Sequence, residues 1–358
     1  MKLPSWSLIL SFALVALNSP LAETAMLLEN DGVLVSEETW TRVKLMAQYS
    51  ASAYCNWGVR RGTNISCDTC PDVTAAGVTI VEISGGEGTG VVGFVAVDPK
   101  NQLIVAVVRG SASARNWTSI QFAKRRCNKL VQHCHVHDGF ARAWDEISHW
   151  MLYGVRKAKA AHPSYEIVFT GHSLGGAVST LGAAYARKEG MAVDLYTYGC
   201  PRVGNEAFAM FVNRQPGVEY RVTHLSDPFA RMPPMFLGYA HTSPELWLHS
   251  GSPTTIKYER SDVKVCHGVQ SHHCNGGTSE PNFKAHNYYL CHTCECSRVK
   301  PQAKREGDDY LSWLGTSPLK DLTDEQFEAR LRDWARKDIE MMTKLESNGS
   351  SLALLEED

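Results

Sequence analysis

Residues 167–175 read Ile167-Val168-Phe169-Thr170-Gly171-His172-Ser173-Leu174-Gly175, and this stretch decides the fold. The first four residues form a short apolar run of strand type. From Leu174 to Arg187 the chain turns Ala- and Gly-rich with helical character. Between the two lies Gly171-x-Ser173-x-Gly175, the nucleophile-elbow pattern when a strand precedes it and a helix follows. The spacing has a steric reason. The turn is so tight that the serine backbone is held in a strained conformation, and side chains two positions before and after it would collide. Ser173 Oγ then projects above a sheet edge, where the helix N-terminus favours developing negative charge.

Working outward, Ser36–Tyr54 carries Trp40, Val43, Ala47, Ala51 and Tyr54 on one helical stripe. Val78–Ile83, Val91–Val97 and Leu103–Val108 are apolar runs separated by Gly- and Asp/Pro-rich turns and are expected to be strands. Phe140–Ala161 is expected to be a helix, Val193–Tyr198 a strand, Asn205–Asn213 a helix and Tyr220–His224 a strand. Alternation of this kind predicts an α/β fold with a mainly parallel sheet covered by helices on both faces. Chemistry in such a sheet sits at the carboxyl ends of strands, here just after Val108, Thr170 and His224.

A serine at its ordinary pKa needs a base, and in this architecture the acid and then the histidine follow the serine along the chain. Asp227, in His224-Leu225-Ser226-Asp227-Pro228, directly follows a predicted strand and is the preferred acid. Glu206 and Glu245 are its rivals, Glu206 being explained by helix capping. Among later histidines, His286 lies in the apolar and aromatic run Phe283-Lys284-Ala285-His286-Asn287-Tyr288-Tyr289, and His241 is the second choice. His267, His272, His273 and His292 lie beside cysteines in predicted surface loops. The oxyanion hole needs two donors. Leu174 N–H is one, and Ser111, in Arg109-Gly110-Ser111-Ala112-Ser113 after the third strand, is the expected other.

Composition bounds the rest. The chain has 358 residues, 44% hydrophobic and 21% charged, which excludes a disordered or collagen-like protein. Lys+Arg 36 against Asp+Glu 38 gives a net charge of −2 and argues against a nucleic-acid binder. Residues 1–25 resemble a secretory signal: Lys2, then the apolar run Leu8–Leu17, then Ala22 and Ala25 as cleavage points. The run is too short to span a bilayer, and a secreted, extracellular protein with no transmembrane segment is expected.

In that compartment the 11 cysteines should largely pair. Cys127–Cys134 and Cys266–Cys274 are spaced to close short rings, Cys67–Cys70 is a further possibility, and Cys200 sits in an apolar strand end as a free thiol. Cys55 is then expected to reach the cluster Cys291, Cys294 and Cys296, leaving a local pair there. Zinc at Cys291-His292-Thr293-Cys294-Glu295-Cys296 is the rival reading; it needs a second C-x-x-C knuckle at suitable distance, and the secretory signal favours disulfides instead. Sequons at Asn64, Asn116 and Asn348 fit secretion.

The tail changes texture near Pro301. Leu322-Thr323-Asp324-Glu325-Gln326-Phe327 combines a capping box, Thr323 with Gln326, and a staple, Leu322 with Phe327. Phe327, Leu331, Trp334, Met341 and Leu345 then mark a helical stripe. The expected organisation is a signal at 1–25, a catalytic domain at 26–300 and a C-terminal helical extension at 301–358.

Taken together, these residues resemble the secreted fungal lipases of class 3, which are related to feruloyl esterases. The matching pieces are Ala53-Tyr54-Cys55, Arg109-Gly110-Ser111, Arg115-Asn116-Trp117, Val136-His137-Asp138-Gly139-Phe140, the elbow, Tyr198-Gly199-Cys200-Pro201-Arg202-Val203-Gly204-Asn205, Asp227-Pro228 and Ala285-His286. The resemblance implies the α/β-hydrolase fold with a helical lid. It implies Ser173, Asp227 and His286 as the catalytic triad, and Ser111 and Leu174 as oxyanion donors. The lid would start after Ser111 and include Arg115, Asn116 and Trp117, with Trp117 as its apolar anchor. Phe236 and Leu237 are candidates for the acyl groove.

The implied activity is hydrolysis of triacylglycerol esters at a lipid–water interface by a monomer, without cofactor or metal. The segment Thr118–Arg126 is more polar and basic than is usual for such lids. That departure keeps feruloyl or other soluble-ester hydrolysis, or phospholipase and galactolipase activity, as the alternative.

Overall fold

The computed structural model describes residues 34–110, 122–269, 271–296 and 322–347. Helix α1 (Glu37–Cys55) starts where predicted, because the Ser36 hydroxyl accepts the Thr39 amide at 3.1 Å and so satisfies one open donor of the first turn. A one-turn helix α2 (Pro71–Ala75) follows. The strands, in chain order, are β1 (Thr79–Gly85), β2 (Val92–Asp98), β3 (Leu103–Val108), β4 (Lys124–Arg126), β5 (His135–His137), β6 (Glu166–His172), β7 (Val193–Tyr198), β8 (Glu219–His224), β9 (Glu245–Leu248) and β10 (Val263–Cys266). The remaining helices are α3 (Asp138–Ala161), α4 (Leu174–Lys188), α5 (Glu206–Arg214) and α6 (Asp324–Ser347).

The main sheet has the order β1-β2-β3-β6-β7-β8-β9-β10. From β3 through β9 the neighbours are parallel; β1, β2 and β10 add antiparallel edges. The parallel centre arises from the strand–helix alternation, since each crossover helix returns the chain to the same end of the sheet. Both faces are covered. Ile104, Ala106 and Val108 join α3 and α4 residues such as Phe140, Trp144 and Leu181 in one core. Leu103, Val105 and Val107, of opposite parity, join Trp40, Met46 and Tyr49 of α1 in the other.

Register sets the position of the site. Val108 pairs with Gly171 and His172 with Tyr198, so the carboxyl ends of β3, β6 and β7 lie side by side. The short β4–β5 ribbon, the β9–β10 edge and α2 were not read from the sequence; their runs of three to five residues are too short for periodicity to register.

The capping box at α6 is present. Thr323 N–H donates to Gln326 Oε1 at 2.9 Å, and Gln326 N–H donates to Thr323 Oγ1 at 3.2 Å. The buried stripe departs from the predicted one. Phe327, Leu331, Ala335, Asp338 and Met342 are buried, whereas Trp334, Met341 and Leu345 are only partly covered. The helix is rotated because a carboxylate sits in its buried face: Asp338 accepts from Arg202 Nη1 at 2.9 Å and from the Met235 amide at 2.8 Å. A buried charge holds its place only with such partners.

Four disulfides join Cys55–Cys296, Cys67–Cys70, Cys127–Cys134 and Cys266–Cys274, and Cys200 is a buried free thiol. The expected local pair in the last cluster does not form. Cys291 Sγ packs on the Ala47 carbonyl of α1 at 3.7 Å, while Cys294 Sγ lies 3.8 Å from His172 Nδ1, so the two thiols have different neighbours. Burial pushes both thiols up to about 12, leaving them protonated at neutral pH.

Candidate active site

Ser173 sits between β6 and α4 with φ +57° and ψ −130°, a conformation that L-residues rarely adopt. The flanking glycines are what the turn requires. A Cβ on Gly171 would enter the Gly175 backbone, and one on Gly175 would enter the Val108 carbonyl. Gly110, at the end of β3, packs so closely that a Cβ there would strike Tyr54 Oη and the His172 carbonyl and stand 3.2 Å from Ser173 Cβ.

The structure brings Ser173, His286 and Asp227 together. His286 Nε2 lies 2.8 Å from Ser173 Oγ, and His286 Nδ1 lies 2.7 Å from Asp227 Oδ2. These residues are 113 and 59 positions apart in the chain, and all three are buried. Asp227 comes from the loop after β8, and His286 from the one-turn helix Ala285–Asn287.

Asp227 is held as the anion. Burial alone would push its carboxyl up, but the adjacent His286, the Tyr289 hydroxyl on Oδ2 and the Phe229 amide on Oδ1 outweigh it, and the carboxyl falls below the usual carboxylate range. Tyr289 keeps its proton: burial and the neighbouring Asp227 raise its hydroxyl well above the ordinary value.

Two further histidines hold the His286 turn in place. His172 Nε2 donates to the His286 carbonyl at 2.7 Å, and its Nδ1 accepts from Tyr54 Oη–H at 2.8 Å. His224 Nδ1 donates to the Ala285 carbonyl at 3.0 Å. Burial, then the nearby His286, brings the His172 imidazole down to about 3; burial lowers His224 as well. Both are therefore neutral near pH 7, and each supplies the one N–H that a carbonyl needs. The Phe229 ring stands 4.4 Å from the His286 ring and shields it from water.

The rival residues lie elsewhere in the fold. Glu206 opens α5, and Glu245 is paired with Arg221 at 2.8 Å within the sheet. His241 is hydrogen-bonded to the Ala230 carbonyl. Leu174 begins α4, directly after the serine. Ser111, Arg115, Asn116 and Trp117 lie outside the described residues, so the second oxyanion donor and the lid remain sequence expectations. Phe236 and Leu237 are 40% and 38% exposed, which excludes ordinary core packing for them.

The sequence profile of the family described as Lipase (class 3) matches residues 105–237. A secreted mono- and diacylglycerol lipase 1 from Fusarium solani is 39% identical over 340 residues, covering 94% of this chain and 97% of that protein. The chain belongs to the class 3 lipase family. A secreted mono- and diacylglycerol lipase A from Penicillium cyclopium is 35% identical and covers 72% of this chain and 86% of its own length. The crystal structure of a mono- and diacylglycerol lipase from Aspergillus oryzae superposes with a TM-score of 0.68 at 35% identity, over 73% of this chain and 98% of that one. This class 3 family member thus has the α/β-hydrolase fold, and as a lipase-family chain it is a carboxylic ester hydrolase.

Sequence reasoning on this family member missed Tyr289 and the two neutral histidines. His172 was visible as the elbow's variable position and His224 as the last strand residue before the acid loop. Neither carries a signal of what it holds, because their partners are backbone carbonyls more than 60 positions away.

Proposed function

We propose that this chain is a secreted serine esterase that hydrolyses acylglycerol esters, mono- and diacylglycerols among them, through an acyl-enzyme. Ser173 is the nucleophile, His286 the general base and Asp227 the orienting acid. The observation that carries this reading is the unbroken pair of contacts, 2.8 and 2.7 Å, from a hydroxyl on a strained elbow to a buried carboxylate. His286 takes the Ser173 proton as Oγ attacks the ester carbonyl. Asp227 stays ionised and stabilises the imidazolium, a role supported by its lowered carboxyl. The tetrahedral oxyanion is bound by the Leu174 N–H and by Ser111; losing one such donor costs about 2.7–4 kcal/mol in the transition state. His286 then gives its proton to the leaving glyceride oxygen and activates the water that releases the fatty acid.

The substrate assignment rests on the names of the relatives from Fusarium and Penicillium, both mono- and diacylglycerol lipases. Their designation as secreted supports cleavage of residues 1–25 on export, and among the described residues no helix is long and apolar enough to cross a membrane. Residues 26–300 form the catalytic domain on this reading, and 301–358 an extension whose helix α6 packs against it. Arg115, Asn116 and Trp117 belong to a lid that opens at the lipid–water interface to a monomeric enzyme.

The test pairs a serine-reactive phosphonate with a panel of mono-, di- and triolein and a soluble short-chain ester. Labelling confined to Ser173, lost in Ser173→Ala together with all glyceride hydrolysis, is expected. Retained hydrolysis in that variant would remove Ser173 from its role. Comparable rates on dissolved and emulsified substrate would count against the lid.

A further inference from the structure

Three potential metal ligands converge far from the serine, where the C-terminal helix meets the disulfide-closed loop. His272 Nδ1 lies 3.0 Å from Glu346 Oε1, and His273 Nε2 lies 3.7 Å from the same oxygen. All three ligand atoms fall within 4.8 Å of one another. The two imidazole rings are 4.3 Å apart, centroid to centroid, and tilted by 32° to one another.

These contacts are poorly explained as hydrogen bonding. Although His272 Nδ1 is only 3.0 Å from the carboxylate, it makes no hydrogen bond among the described residues, and the atom is shut off from solvent. At that separation the failure is one of direction: the N–H does not point at the oxygen. Two ligand atoms bound to one tetrahedral zinc ion at about 2.0–2.2 Å stand roughly 3.3–3.5 Å apart. The observed 3.0 and 3.7 Å bracket that spacing.

We propose that His272, His273 and Glu346 form a binding site for a zinc-class divalent cation, with solvent completing its coordination. Two imidazoles and one carboxylate suit Zn2+, or Cu2+ and Ni2+, and not the all-oxygen shells of Ca2+ or Mg2+. The entry path is open, since the side chains of His273 and Glu346 are 53% and 51% exposed. Lys264 Nζ is engaged elsewhere, donating to the His273 carbonyl at 3.0 Å.

The place of the site in the fold gives it a consequence. His272 and His273 lie within the Cys266–Cys274 loop, and Glu346 is in the last turn of α6. The next residues, Asn275–Gly277, pack against α6, and Asn275 Nδ2 donates to the carbonyls of Leu225 at 2.9 Å and Asp227 at 3.2 Å. A bound cation therefore ties the end of α6 to the loop that backs the catalytic acid, and holds the helix on the body of the enzyme. The site is independent of the ester chemistry.

The experiment uses the full chain without a polyhistidine tag, stripped with EDTA and titrated calorimetrically with ZnCl2. One equivalent is expected, with affinity weakened at least about ten-fold in each of His272→Gln, His273→Gln and Glu346→Gln. Unchanged melting of these variants in EDTA establishes that they fold. Zn2+ should also slow proteolysis within α6 in the wild type and leave Glu346→Gln unaffected. Absence of saturable binding overturns the proposal. So does zinc affinity that survives in all three variants, which would move the ion to another group such as the thiols of Cys291 and Cys294.

Discussion

Replacing Asp338 by alanine asks whether the C-terminal helix is part of the scaffold beneath the site. The side chains of Arg202 and Asp338 are only 4% and 5% exposed. One Asp338 oxygen accepts from Arg202 at 2.9 Å, and the other accepts the amides of Met235 at 2.8 Å and Phe236 at 3.4 Å. Removing one member of a buried pair costs about 3–5 kcal/mol, because the remaining charge has no route back to water. Here the lower part of that range applies. Arg202 retains the carbonyls of Arg231 and Pro233 as acceptors.

A loss of ~3 kcal/mol at about 2 °C per kcal/mol lowers the melting temperature by roughly 6 °C. Calorimetry on the full chain reads it. The double replacement Arg202→Met with Asp338→Leu should recover most of the loss, since it leaves no buried charge without a partner. An Asp338→Ala protein that melts within about 2 °C of the wild type would refute the reasoning and make the ion pair incidental to docking.

Three further outcomes follow from the site. Tyr289→Phe deletes the hydroxyl that Asp227 Oδ2 accepts, at a cost of about 1–2 kcal/mol in support of the anion; kcat should fall roughly 5–30-fold with KM little changed, and an unaltered kcat would deny Tyr289 a positioning role. Gly175→Ala drives a methyl group into the Val108 carbonyl, so activity and at least about 1–3 kcal/mol of stability should be lost, as denaturant unfolding would report; a fully active, equally stable variant would contradict the elbow geometry. Stability should also fall with acid. Burial holds His172 at about 3, with His224 and His241 also lowered, so these imidazoles stay neutral in the folded chain while in the unfolded chain they take up protons below the ordinary value of 6.5. For His172 the stabilisation is complete above that value and is lost toward pH 3 at about 1.4 kcal/mol per pH unit, and His224 and His241 add in the same direction; chemical denaturation that is flat between pH 6.5 and 5 would contradict this.

What the sequence determined by itself is local. The elbow could be read because its pattern spans five residues: Gly171 is required by backbone atoms of the same turn, whereas the Val108 carbonyl that requires Gly175 is brought there by the fold. The apolar run Leu103–Val108 and the capping box at Thr323 are legible because strand propensity and capping act between near neighbours. The choice of Asp227 and His286 rests on chain order and resemblance, and only the fold brings them together with Ser173. Tertiary structure alone decided that His172 and His224 hold carbonyls of the His286 turn, that Tyr289 backs the acid, that Cys55 takes Cys296 and leaves Cys291 and Cys294 unpaired, and that Asp338 belongs to the buried face of α6. Each of these depends on which surfaces meet across dozens to hundreds of residues, and packing, with the desolvation it imposes on polar groups, settles that only when the whole chain has folded.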